Sequence, residues 1–223
     1  MGVISMAIKF FDCHGFGQIE PNQVWFTRAG MIEAQCALDP EKFASHFPMT
    51  DTEATTGKIY GENGSFYMVD KVKKIVTIPT KALSDKGYPM GINYSTEKIY
   101  NQFTPGRRNF CMICNEFYPR LGYVEPGMRI TTNSVAWDTT NTTLFKTANT
   151  NFDSDIMYND VKAAVDKGDA VYAYVVEGSH GKLTIGASVA NALGHVYAQV
   201  VKAYTNADGT KSFMFQFINE PTA

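Results

Sequence analysis

The residues best suited to do chemistry are Cys111 and Cys114, spaced Cys-Met-Ile-Cys, a pair that can ligate zinc as thiolates or exchange a disulfide. A structural zinc needs two further ligands. The chain offers Cys13, His14, Cys36, His46, His180 and His195, none of them in a second paired knuckle. A redox role needs the first thiol at a helix start, but this pair lies within the strand-like run Asn109 to Tyr118, so its sulfurs are expected on opposite faces. The four cysteines therefore read as reduced, metal-free and hydrophobic in behaviour. Cys13-His14 beside Gly15 suggests an imidazole-activated thiol, yet neighbours on a strand diverge and no Asn or Asp orienter is identifiable. His180, in a turn between Ser179 and Gly181, and His195, at the start of a strand, read as structural.

Other constellations fall short of their chemistry in definable ways. Gly15-Phe-Gly17 lacks the third glycine and the strand-to-helix setting of a dinucleotide fingerprint, and the chain has no phosphate loop. Ser179 and Ser188 are not in a nucleophile elbow. Asp153, Asp155, Asp160, Asp166 and Asp169 miss the spacing of a calcium loop and read as a solvated helix face. Asn63, Asn93 and Asn141 head glycosylation-type triplets that read as chance. The expectation is a protein with no catalytic, cofactor-binding or metal-ligating residues, and so not an enzyme.

Composition narrows the class further. The 223 residues are 44% hydrophobic and only 19% charged, which fits a folded chain with a large core. A formal charge of −2, with the local basic maximum limited to Lys71, Lys73 and Lys74, argues against a phosphate-backbone partner. The chain lacks a run of about 18 apolar residues and a basic-then-apolar leader, so a soluble protein made in the cytoplasm is expected, not a membrane one.

The elements that must carry these residues are mostly strands. Val171-Tyr-Ala-Tyr-Val-Val176, Lys182-Leu-Thr-Ile185, His195 to Val201 and Ser212 to Ile218 predict a meander ending in a hairpin over Asp208-Gly209. Period-two alternation puts Val171, Ala173, Val175, Val196, Ala198, Val200, Phe213, Phe215 and Phe217 in one core. Further strands are expected at Lys74 to Pro79, Asn109 to Tyr118, Met6 to Asp12 and Val24 to Arg28, the last two around a turn at Gly15 to Gly17. Asp39-Pro40 predicts a short helix over 40–47, and Ile156, Val161 and Val165 before Gly168 predict one over about 156–166. Thr50 to Gly64 and Thr131 to Asn151, rich in Thr, Asn, Gly and Asp, read as long loops that supply contacts to a partner. The fold class is mainly β: antiparallel β-barrel or β-sandwich modules with one or two short helices. The division expected is a β-rich region over 1–118 with a short helix and a barrel-like module over 119–223, possible also as one merged domain.

Four short motifs carry a resemblance. Gly122-Tyr-Val-Glu-Pro-Gly-Met-Arg-Ile-Thr131, Lys167-Gly-Asp-Ala-Val-Tyr172, Gly181-Lys-Leu-Thr-Ile185 and the terminal Asp208-Gly209 hairpin occur in an order that resembles the small β-barrel of tailed-bacteriophage capsid decoration proteins. The likeness covers about residues 120–218, and the long insertion between Thr131 and Lys167 departs from it. It implies a virion protein on the outer face of the capsid, without catalytic residues or cofactors. Its implied partners are the major capsid protein and neighbouring copies of itself. The aromatic content, with Tyr 12, Phe 15 and Met 10, suits interfaces depleted in charge. Two rival readings are a tail-tube or connector subunit and a carbohydrate-binding module built on Trp25 and Trp137.

Overall fold

The computed structural model describes residues 32–33, 35–45, 49–62, 64–93, 112–113, 118–131, 154–205, 207 and 211–221. The expected strands at 6–12 and 24–28, the turn at Gly15 to Gly17, the Asp208-Gly209 turn and the loop over 132–151 lie outside these residues. So do Cys13, His14, Trp25, His46, Asn63, Cys111, Cys114, Trp137 and Asn141.

The fold is mainly β, as expected. A six-stranded sheet joins β1 (Ile32–Glu33), β8 (Leu121–Gly122), β6 (Met90–Asn93), β4 (Phe66–Asp70), β5 (Ile75–Thr77) and β2 (Ala37–Leu38) in that order. A five-stranded sheet joins β11 (Leu183–Gly186), β10 (Tyr172–Val175), β12 (Tyr197–Thr205), β13 (Lys211–Ile218) and β9 (Arg129–Thr131). A small ribbon pairs β3 (Gly61–Glu62) with β7 (Met112–Ile113). Every named pair is antiparallel except β2 with β5, which run parallel. Among the described residues there are three helices: α1 (Asp51–Thr55), α2 (Lys81–Ser84) and α3 (Ser154–Lys167).

The C-terminal strands follow the sequence pattern closely. All nine residues expected in one core are buried, none more than 5% exposed. They pack with Phe66, Met68, Met90 and Ile92 of the six-stranded sheet, so the main core lies between the two sheets. The expected meander is corrected in its order: β12 pairs with β10 on the side away from β11. Strand β12 also contains a bulge between Val200 and Lys202, which leaves Val201 as the extra residue, 37% exposed. That residue shifts the parity of the strand, so Ala203 follows Ala198 and Val200 onto the core side, opposite Phe213.

Helix α3 forms for the reason its sequence suggests. Tyr158 and Val161 are buried, and Tyr158 stacks on Phe213 with ring centroids 5.4 Å apart. Its end is a Schellman motif: Gly168 takes φ +86°, its N–H reaches Val165 O at 3.0 Å, and Asp169 N–H reaches Ala164 O at 3.0 Å. The opposite side is solvated, with Asp166 exposed and paired to Lys162.

The N-terminal helix expectation is overturned. Asp39 does cap a turn, accepting from Glu41 N–H at 3.0 Å, but no helix forms over 40–45. The chain instead forms a parallel bridge from Phe43 to Ile59, because Phe43 is drawn fully into a second core, edge-on to Tyr67 at 5.2 Å. Burying that ring outweighs the two or three helical hydrogen bonds a short helix would add. Thr50 to Gly64, expected as loop, contains α1 and β3. The signal for α1 was in the sequence: Thr50-Asp-Thr-Glu53 is a capping box, and both of its reciprocal hydrogen bonds are present.

Glu53 ties this corner together and sets a pH test. Its carboxylate accepts from the Ser45 hydroxyl at 2.7 Å and the Ser45 N–H at 2.8 Å, and from the Thr50 N–H and hydroxyl at 3.2 Å each. These donors, Ser45 foremost, hold its pKa down from 4.5 to about 2. A carboxyl depressed on folding contributes stability that is complete above its unfolded pKa and disappears as pH falls through the folded value. The advantage of the parent over Glu53→Gln should therefore be constant near neutrality and shrink between pH 4.5 and about 2. Denaturant titrations across that range measure it, and a pH-independent gap would refute the role.

Candidate functional site

A cleft of about 280 Å³ lies at one end of the five-stranded sheet. Three segments distant in sequence build it: 124–126, 195–197 and 217–220.

The first is a tight turn. Glu125-Pro-Gly-Met128 closes with Met128 N–H to Glu125 O at 3.1 Å, Pro126 supplying the first central φ and Gly127 the positive second one at +90°. Two backbone bonds fasten this turn to β13: Gly127 N–H to Phe217 O at 2.7 Å and Phe217 N–H to Met128 O at 2.8 Å. The Pro-Gly turn noted in the sequence thus positions Glu125 against the last strand.

The second segment corrects the reading of His195 as a strand residue. Gly194 and His195 both take positive φ, +66° and +54°, the mirror-image turn that leads into β12 at Tyr197. Histidine enters the left-handed region more readily than most side chains, so the strain is modest. Gly194 suits this position because its φ is one that L side chains rarely adopt and an added Cβ would press on the Met90 side chain, 2.6 Å from its flexible end and 3.0 Å from its Cβ, and its N–H donates to Ser84 Oγ at 2.9 Å. The imidazole is thereby held at the exposed rim, 6.5 Å from the Tyr197 ring.

Tyr197 and Glu220 supply the remaining polar surface. Burial pushes the Tyr197 phenol up, and the Glu220 carboxylate, which accepts its hydrogen bond, pushes it further in the same direction. The phenol stays protonated at neutral pH. With apolar walls from Val124, Pro126, Val196 and Ile218, the cleft suits a cationic group carrying an apolar stem.

Among the described residues, the other candidates are not gathered here. Cys36 is buried in the second core. His180 occupies the turn expected for it, at φ +53°. Ser179 is buried and donates to Val176 O at 2.9 Å, a structural turn bond. Asn93 is fully buried with its amide donating to Gly61 O at 3.3 Å, so its triplet cannot carry a glycan in this fold. Among the described residues, no three His, Cys, Asp or Glu side chains gather at metal-binding distances. No described helix is long and apolar enough to cross a membrane.

Sequence reasoning missed Glu125, Tyr197 and Glu220 because no single window contains them. The Pro-Gly turn was the one local signal. Compared with models of known protein families, with curated proteins and with solved structures, the chain matches none.

Proposed function

We propose that this chain is a virion structural protein, a capsid decoration protein that binds the outer face of a phage head and stabilises it. The observation that carries the reading is the placement of the four segments behind the resemblance. Apart from Gly122, which ends a strand of the six-stranded sheet, residues 122–131, 167–172 and 181–185 and the two strands of the terminal hairpin, dispersed over about half the chain, supply or border the strands of one five-stranded sheet. The Pro-Gly turn hydrogen-bonds to the final hairpin strand, so the first and last motifs meet. A rigid sheet of this kind can act by contact alone, since stabilising a shell requires only differential binding to the assembled state. The major capsid protein and neighbouring copies are its partners in this reading.

The test is to mix purified protein with heads that lack outer proteins and sediment the particles. The expected result is saturable co-sedimentation and a higher temperature of head disruption. No affinity for any capsid overturns the proposal, and imaging that places the chain along a tail would favour the tail-tube alternative.

A further inference from the structure

The hairpin turn between β4 and β5 is chemically unusual. Lys71, Val72, Lys73 and Lys74 are all exposed, and Val72, at 87%, is the most exposed large hydrophobic residue described. The turn is also held in shape. Asp70 Oδ1 accepts from the N–H groups of Val72 and Lys73 at 3.0 and 2.9 Å, and Lys74 sits at φ +55° before β5 begins. It is thus a preformed knob with an apolar tip and a basic rim, and little ordering entropy remains to be lost when it docks.

The cleft described above has the complementary chemistry: carboxylates of Glu125 and Glu220 at its edge over apolar walls. Its 280 Å³ falls just under the ~300 Å³ at which pockets begin to enclose whole small molecules. One protruding side chain with flanking charges fits that scale better than a free ligand. In its own chain the knob does not occupy the cleft: Val72 is 87% exposed, and none of residues 71–74 lines the cleft.

We infer that the basic Lys71–Lys74 turn of one copy docks into the Glu125/Glu220 cleft of a second copy, Val72 entering between the apolar walls. Two different surfaces meet, so the contact is head-to-tail and propagates into a ring or an open chain. One turn buries far less than the roughly 1,200 Å² of a durable interface, so free copies associate weakly and copies arrayed side by side associate well. The inference goes beyond the capsid reading, because self-association needs no shell.

Sedimentation velocity of the full chain up to about millimolar concentration tests it, with Lys71→Glu/Lys73→Glu as the turn variant and Glu125→Lys/Glu220→Lys as the cleft variant. The parent should self-associate, and raising the salt to about 1 M, where screening reaches ~3 Å, should weaken association severalfold. Each variant alone should lose association by roughly tenfold or more, because like charges then face each other. An equimolar mixture of the two should recover it, since each reversed turn meets a cleft of opposite sign. Thermal melts and circular dichroism establish that both variants are folded, and Val72→Ser, which touches no charge, serves as a second probe that should also weaken association. A parent that stays monomeric, variants that associate like the parent, or folded variants whose mixture does not recover would each overturn the inference. Self-association without capsid binding would leave it standing and remove the decoration proposal, and the reverse result would do the opposite.

Discussion

Phe215→Ala is expected to lower the free energy of unfolding by about 3–5 kcal/mol, the range for removing a large aromatic side chain from a packed core. Phe215 is fully buried and sits in the middle of β13, paired to Val200 on one side and to Ile130 on the other. Its ring tilts against Phe213 at 6.3 Å, and neighbours from both sheets surround it, so no single element can relax to fill the space. Met214, next along the strand, is only half-buried on the opposite face. Met214→Ala should cost well under half as much, because the exposed side loses less burial and leaves no closed cavity. Urea titration with an unchanged m-value measures both. Equal costs for the two would mean that the core side of β13 is misassigned.

Gly181→Ala is expected to destabilise by about 3 kcal/mol or more, combining left-handed strain of roughly 1–2 kcal/mol with a backbone collision. Gly181 sits at φ +84°, and a Cβ there would lie 2.0 Å from the carbonyl oxygen of Phe66. That oxygen is main chain and cannot rotate away. Moving it would also break the 2.7 Å bond from Phe66 N–H to Gly181 O, which ties the start of β4 to the approach of β11 and so links the two sheets. Gly178 provides the internal control, with the same φ of +84° and nothing within 4 Å of its added Cβ. Gly178→Ala should show the strain alone. The difference between the two variants isolates the close approach of the sheets, and its absence in matched thermal or denaturant melts would contradict the packing described for Gly181.

Much of the C-terminal half could be read in one dimension. Phe213, Phe215 and Phe217 alternate with polar or flexible residues, and a strand turns that alternation directly into two faces. Helix α3 was legible from Ile156, Val161 and Val165 together with Gly168, because a 3.6-residue period and a left-handed stop are both local properties. The capping box at Thr50 and Glu53 was equally local, but it was hidden in a segment whose Thr and Gly content reads as loop.

What only the tertiary structure decided depends on partners far apart in sequence. Asp39-Pro40 is as good a helix start as any in the chain, yet Phe43 is fixed by Tyr67 and Ile59, which the local window does not contain. The position of β12 beside β10, and the bulge at Val201 that returns Ala203 to the core, follow from which pairing buries most surface against the six-stranded sheet. The cleft is the extreme case: its three segments span residues 124 to 220, and each is unremarkable alone. Local pattern settles which face of an element is apolar, because side-chain direction is a property of the backbone period. Which faces meet, and what gap they leave between Glu125, Tyr197 and Glu220, is set by long-range packing energy that no window of sequence carries.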